Sequence, residues 1–324
     1  MHAYLDNAAT TPVAPEVVKA MMDVYTSVHG NPSSTHAPGR KAKALIETSR
    51  RTIASLLGVP PRTICFTSGG TEADNHAIQA AVSCLGVNRI ITSAAEHSAV
   101  IKATKQASDR HHLELVHVQH HADGQVDMDH LAELLAGSEK TTLVSLMHAN
   151  NEVGVMVDLA WLSALCREHG ALLHSDTVQT MGHYPLDLNA VDVDFLACSA
   201  HKLHGPKGTG FLYANPKLRI DGMIVGGGQE RMLRGGTENV AGIVGLAEAF
   251  AAAFEHMAEH EAHIRAMKAR MVQGLRERIP GVVFNGDSDK KDRLYTVLNV
   301  QFPEHANGGM AVFLLDLEGV ACSG

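Results

Sequence analysis

The chain has 324 residues, more than one ordinary hydrophobic core organises, so its length predicts two domains or one large α/β unit. Apolar residues at 45% and charged residues at 19% exclude a disordered chain and a membrane-embedded one. Thirty-five acids against 27 bases, a formal charge of -8, exclude nucleic-acid binding by general electrostatics.

The N-terminal Met1-His2-Ala3-Tyr4-Leu5-Asp6 has no basic region followed by an apolar run, so it reads as no secretory signal. From there the chain alternates short apolar runs with helical patterns. Strands are predicted over 63–67, 89–92, 113–118, 142–147, 171–175, 195–199 and 210–213. Several are nearly continuous apolar runs, as expected of strands buried on both faces. Helices are predicted over 72–85, 98–107, 129–136 and 158–169. That order predicts an α/β fold with a largely parallel sheet covered by helices. A long, interrupted, Ala-rich helix follows over 240–279, ended by Pro280-Gly281. Strands over 282–284 and 296–302, a helix over 309–317 and a strand at 320–321 then begin a smaller α+β domain. The longest apolar stretch, 241–254, is broken by Glu248 and is too short to span a bilayer.

The five cysteines, Cys65, Cys84, Cys166, Cys198 and Cys322, are odd in number and form no C-x-x-C pair, which points to a reducing, cytoplasmic compartment. The first four lie in strand or helix patterns and read as small buried hydrophobes. His256, His260 and His263 share a helical face but sit among Glu255, Glu259 and Glu261, so they read as a solvated surface rather than a metal site. His111, His112, His117, His120 and His121, around an edge-like strand, read the same way.

Ligands of parallel sheets bind beyond the carboxyl ends of the strands, so the residues there carry the chemistry. After the first strand comes Ser68-Gly69-Gly70-Thr71-Glu72, which opens a helix and suits an anion; a plain Thr N-cap is the alternative. After the second comes Ala95-Glu96-His97-Ser98, where His97 could stack on a ring, exchange protons or merely cap a helix. After 142–147 come Asn150 and Asn151, a turn or a pair of donors. Asp176 ends one apolar strand, and Lys202 follows another, in Ser199-Ala200-His201-Lys202 before Gly205-Pro206-Lys207-Gly208. A carboxylate there is costly unless it meets a cation. One reading is an Asp176–Lys202 ion pair. The other is a pyridoxal 5'-phosphate site, in which Lys202 binds the aldehyde and Asp176 keeps the pyridine nitrogen protonated.

Leu5-Asp6-Asn7-Ala8-Ala9-Thr10-Thr11, Gly30-Asn31-Pro32-Ser33-Ser34, the Ser68, Asn150 and Ser199 segments, and Arg234-Gly235-Gly236-Thr237-Glu238-Asn239 together resemble the cysteine desulfurases. These are class V aminotransferase relatives of PLP fold-type I, and the resemblance is to the nitrogen-fixation and iron–sulfur-cluster branch. It implies a large domain with a mostly parallel seven-stranded sheet over 16–256, a small domain over 257–324, and a segment 1–15 that joins the small domain. It implies conversion of L-cysteine to L-alanine, with persulfide sulfur passed to an iron–sulfur scaffold or a thiolation partner.

The resemblance assigns Gly70 and Thr71 to the cofactor phosphate, with Ser199 and His201 as further donors. His97 would stack on the ring and move protons, and Asn151 would help hold substrate and ring face. Asp176 would meet the ring nitrogen, and Gln179 the ring hydroxyl. Lys202 would carry the cofactor and act as the base. Thr237 would reach the phosphate of a partner subunit, implying a homodimer, and Asn31 would lie near the substrate. The family's sulfur-accepting cysteine occupies a small loop after a strand like Gly319-Val320-Ala321. Cys322 aligns before that position and reads as a packing residue. A chain ending at Gly324 is therefore expected to be a fragment with little turnover. The alternatives are another class V activity, such as selenocysteine lyase or aminotransferase, or a PLP-binding protein without sulfur transfer.

Overall fold

The computed structural model describes residues 3–304 and 308–324; Met1 and His2, at the head of the predicted N-terminal segment, lie outside the described residues. A two-residue strand, β1 (Ala3–Tyr4), precedes two helices, α1 (Pro15–Ser27) and α2 (Ala37–Leu56). Neither helix is among the predicted elements, although each has a proline in its first turn, where a fixed φ and a missing N–H cost nothing.

The alternating part follows: β2 (Ile64–Thr67), α3 (Gly70–Cys84), β3 (Arg89–Ser93), α4 (Ser98–His111), β4 (Glu114–Val118), α5 (Met128–Ala136), β5 (Thr142–Ser145), α6 (Leu159–Glu168), β6 (Leu172–Asp176), β7 (Phe195–Ser199) and β8 (Gly210–Ala214). All seven predicted strands and all four predicted helices are present, with ends shifted by a few residues. Strands β2 to β8 form one seven-stranded sheet in the order β2-β8-β7-β6-β5-β3-β4. β8 runs antiparallel to both neighbours and the remaining pairs are parallel.

Alternation along the strands divides the interior into two cores. Ile90, Leu143, Phe195, Ala197 and Leu212 pack with α3 and α4 on one face. Their neighbours Ile91, Val144, Leu196, Cys198 and Phe211 pack with α1, α2, α6 and a later helix on the other. The strands are apolar on both sides because both sides are covered.

The predicted long helix over 240–279 is two helices, α7 (Val240–Glu255) and α8 (Met257–Arg278), bent by 73° at the break. α7 buries Ile243, Leu246 and Phe250, whereas α8 buries only Val272. No single described helix is long and apolar enough to cross a membrane.

Beyond α8 lie β9 (Val283–Phe284), β10 (Val300–Gln301), α9 (Ala311–Leu317) and β11 (Val320–Ala321). β9 pairs antiparallel with β10, and β11 pairs parallel with β1. The predicted strand over 296–302 thus shrinks to two residues. Leu294 and Val297 instead bury themselves against Ala149, so side-chain packing rather than a ladder fixes this stretch. Cys65, Cys166 and Cys198 are buried, but Cys84, at the end of α3, and Cys322, read as a packing residue, are only half-buried.

Candidate active site

Sheet parity determines which side chains reach the site. On β6 and β7, the residues facing α3 are His174 and Asp176, and Phe195, Ala197 and Ser199. Asp176 and Ser199 are the last residues of their strands, so both come out at the carboxyl edge. There α3 begins. Its cap is Gly69, at φ 150°, and no side chain caps the first turn, which excludes the Thr N-cap. A Cβ on Gly70 would stand 2.6 Å from Val178 Cγ2, and one on Gly210 would stand 2.8 Å from Gly69 Cα. Glycine is required at both positions by close approach. The result is a helix start whose amides remain available to an anion, beside the Ser199 side chain.

Lys202 occupies a 3₁₀ turn, Ala200–Lys202, directly after β7. Its Nζ donates to the carbonyls of Ala8 and Ala9. Gln179 Nε2 donates to the same Ala8 oxygen at 3.0 Å. The N-terminal segment is strapped over this turn: Thr11 N–H and Oγ1 both donate to the His201 carbonyl, and His204 N–H donates to Thr11 Oγ1. His201 Nδ1 lies 3.2 Å from Thr10 Oγ1. Ala8, Ala9 and Thr11 are site-forming residues that no spacing rule could supply, because about 190 residues of chain separate them from Lys202. The quoted Ala8-Ala9-Thr10-Thr11 string was their only signal.

Asp176 accepts one hydrogen bond, from Val178 N–H at 2.9 Å, and forms no ion pair with Lys202 among the described residues. The ion-pair reading is therefore overturned. The two groups still sense each other: the Asp176 charge favours the protonated amine, while burial, the larger effect, lowers Lys202 below the ordinary lysine value. Burial raises Asp176 to about 7, with the Asp74 carboxyl pushing the same way. Burial and the Lys202 and Lys207 charges depress His201 to about 4. A buried carboxylate with one N–H donor and no cation is suited to a ligand that brings its own positive charge.

His97 is exposed, and of the roles the sequence allowed the structure displays the helix cap. Its Nδ1 caps α4 by accepting from Ala99 N–H at 3.2 Å. The adjacent amides divide the work. Asn150 is buried and structural, donating to the Ala95 carbonyl and accepting from the Glu152 and Val153 amides. Asn151 is half-buried and donates to Glu152 Oε1 at 2.7 Å. Asn31 is not drawn into this group: it lies on the loop between α1 and α2, its Oδ1 accepting from Ser33 N–H.

Thr237 is exposed and lines a cavity of about 80 Å³ with Thr67, Ser68 and Gly208. The loop that carries it is held in a costly conformation. Glu230, Arg231 and Met232 all have positive φ, at 45°, 56° and 68°, worth about 1–2 kcal/mol per residue. The restraint is buried: Arg50 donates to both Glu230 oxygens at 2.7 Å, and Phe66 N–H donates to one of them. Glu72, on the first turn of α3, adds a second tie by accepting from Arg234 and from Ser68 N–H. Motif reading quoted Arg234 and Glu72 but missed Arg50 and Glu230, whose partnership spans 180 residues.

The Aminotransferase class-V family profile matches residues 3–324. A cysteine desulfurase from Gluconacetobacter diazotrophicus is 40% identical over 99% of this chain and 79% of its own length. A solved NifS-like protein superposes with a TM-score of 0.93 at 35% identity, covering 99% of this chain and 87% of that one. A solved SspA in complex with cysteine superposes with a TM-score of 0.83 at 30% identity, covering 98% of this chain and 87% of its own. The seven-stranded fold and the site at its carboxyl edge thus sit in a known setting: this chain belongs to the class V aminotransferase family, among its cysteine desulfurases.

Proposed function

We propose that the protein is a pyridoxal 5'-phosphate enzyme that takes sulfur from L-cysteine, leaves L-alanine, and passes the sulfur as a persulfide to an acceptor. One observation carries this reading: a half-buried amine, Lys202, and a buried carboxyl without a cation, Asp176, stand at neighbouring strand ends beside an uncapped helix start. The donor set fits the cofactor, since each of its three ends finds its complement: phosphate, aldehyde and ring nitrogen.

Gly70 and Thr71 would hold the phosphate by their amides, with Ser199 and His201 adding donors. Asp176 would face the ring nitrogen, Gln179 the ring hydroxyl, and His97 and Asn151 the ring faces and substrate. When bound, the cofactor supplies an electron sink for charge developing at the substrate Cα. Lys202 Nζ would hold the cofactor and, once released, take the Cα proton of cysteine; its burial-lowered basicity leaves a larger neutral fraction for that task. The strap of Ala8 and Ala9 carbonyls orients the amine by its N–H donors.

The sulfur-accepting thiol is none of the three buried cysteines. Burial pushes Cys65 and Cys198 far up and Cys166 up to about 12, so their thiolates are scarce. Cys84 stands at the other end of α3 from Gly70, about 21 Å away at 1.5 Å per residue.

A partner subunit lending its Thr237 to the phosphate would make the working unit a homodimer. The division into a segment 1–15, a large domain 16–256 and a small domain 257–324 is part of the same reading, supported by the β1–β11 pairing. The five free cysteines support a reducing, cytoplasmic setting, and the acceptor would be an iron–sulfur scaffold or a thiolation protein. The test is product formation in the full-length protein. Loaded with cofactor and given L-cysteine, it yields alanine matched by reductant-releasable sulfur on the protein, and Lys202→Ala yields neither. Turnover that gives pyruvate, or alanine without protein-bound sulfur, contradicts the reading.

A further inference from the structure

Beneath the site lies a buried polar layer to which no role has been assigned. Thr92, Ser145 and His174 are register partners on β3, β5 and β6, and they face α3. Ser145 Oγ lies 2.8 Å from His174 Nδ1. From α3, Asp74 Oδ1 comes within 3.3 Å of His174 Nε2, a close approach that is not itself a hydrogen bond, and neither buried atom has another partner. Asp176 stands two residues further along the same strand face. Asp74 is 1% exposed, His174 0% and Asp176 7%. Glu96 approaches from the loop before α4, with Oε1 accepting from Met147 N–H and Oε2 without a partner. His97 stands on the same loop, at the exposed rim. No lysine or arginine pairs with any of these three carboxyls among the described residues.

Three carboxyls without a paired cation cannot all ionise in so dry a layer. A single charge belongs where a ligand cation can reach it, at the open strand end occupied by Asp176. Asp74 is at the closed end under the helix. A neutral His174 that gives its Nδ1 proton to Ser145 leaves Nε2 as an acceptor, and the acid form of Asp74 is the donor within reach.

We propose that Asp74 is a positioning residue that works as a neutral carboxylic acid, donating to His174 Nε2 and leaving the layer's negative charge to Asp176. Burial raises Asp74 to about 8 and lowers His174 to about 4, so both are neutral near pH 7. The consequence for cofactor binding rests on the reading of Asp176 as the partner of the ring nitrogen; the location of the proton does not.

The test uses the full chain, first without cofactor. With carbon-13 in the aspartate carboxyls, the infrared spectrum at neutral pH shows a protonated-carboxyl band that Asp74→Asn removes. Nitrogen-15 NMR of labelled histidine finds the His174 proton on Nδ1, and finds it still there in Asp74→Asn, whose amide replaces the acid as donor. Pyridoxal 5'-phosphate then binds Asp74→Asn within about threefold of wild type, and Asp74→Leu about tenfold or more weakly. A wild-type spectrum in which Asp74→Asn removes no such band, or a His174 proton on Nε2, overturns the proposal. If the infrared and NMR results hold while neither wild type nor variant binds pyridoxal 5'-phosphate, the proton assignment stands and the cofactor reading falls.

Discussion

Every residue of β2, β3, β5 and β7 is buried, whereas α9 buries none of its residues and leaves Phe313 and Leu317 exposed. The sheet is tied by ladders of up to five residues and covered on both faces. The C-terminal part hangs on two-residue pairings, β1 with β11 and β9 with β10, and on contacts such as Ser323 Oγ with Asp6. The difference assigns the two regions different work. A site that must hold Asp176, Ser199 and Lys202 in fixed relation needs the region with long-range burial. The region with few buried contacts belongs to the low-stability end, where opening costs little.

This contrast can be broken at its strongest point first. Glu230→Ala leaves Arg50 buried without its partner and frees the strained turn that Glu230 anchors. The expected loss is about 3–5 kcal/mol of stability, read by denaturant unfolding. A loss under about 1 kcal/mol would show that the loop around Thr237 is no part of the rigid region.

A second test sharpens the electrostatic side of the comparison. Asp176 and Asp74, at about 7 and about 8, bind protons more tightly when folded than when unfolded, where aspartate has its ordinary value of 3.8. The folded cofactor-free protein therefore holds more protons than the unfolded chain, and stability falls as pH rises through this range. Buried His174 and half-buried His148 and His201, each at about 4 against 6.5, oppose the effect at lower pH, because there the unfolded chain holds the extra protons. Lys268, lowered by burial to about 8 from 10.5, opposes the effect at the upper end, so the clearest window is pH 6.5 to 7.5, above the ordinary histidine value and below Lys268. There the unfolding free energy, read by thermal or denaturant unfolding, falls with pH by at most about 1.4 kcal/mol per pH unit for each proton released. Asp74→Asn makes the slope shallower. A slope of opposite sign would mean that these carboxyls are ionised and paired in the fold.

The smallest effect is expected in the C-terminal part. Phe313→Ser on α9, at a side chain 55% exposed, changes stability by about 0.5 kcal/mol or less. A change of several kcal/mol would show that α9 is packed as firmly as the sheet.

The same contrast explains what could be read in advance. Strands such as Phe195–Ser199 were legible because burial on both faces leaves an unbroken apolar run. The apolar residues of 296–302 gave a similar signal for another reason, since Val297 fills a side-chain cluster rather than a ladder position. Lys202, Asp176 and the Ser68-Gly69-Gly70 turn were legible because each stands at, or within three residues of, the end of a recognisable strand. The Asp74–His174–Ser145 layer and the Arg50–Glu230 pair were not, because their members lie on different elements that only the folded arrangement brings together. Glu96 was passed over for His97, although Glu96 is the buried one.

The central claim is that Lys202 and Asp176 serve one bound pyridoxal 5'-phosphate. It is tested most directly by loading the protein with that cofactor, reducing with borohydride, and mapping the modified peptide. The account predicts a single pyridoxyl adduct, on Lys202, which Asp176→Asn weakens without relocating. An adduct on another lysine, or none at all in folded protein, would contradict it.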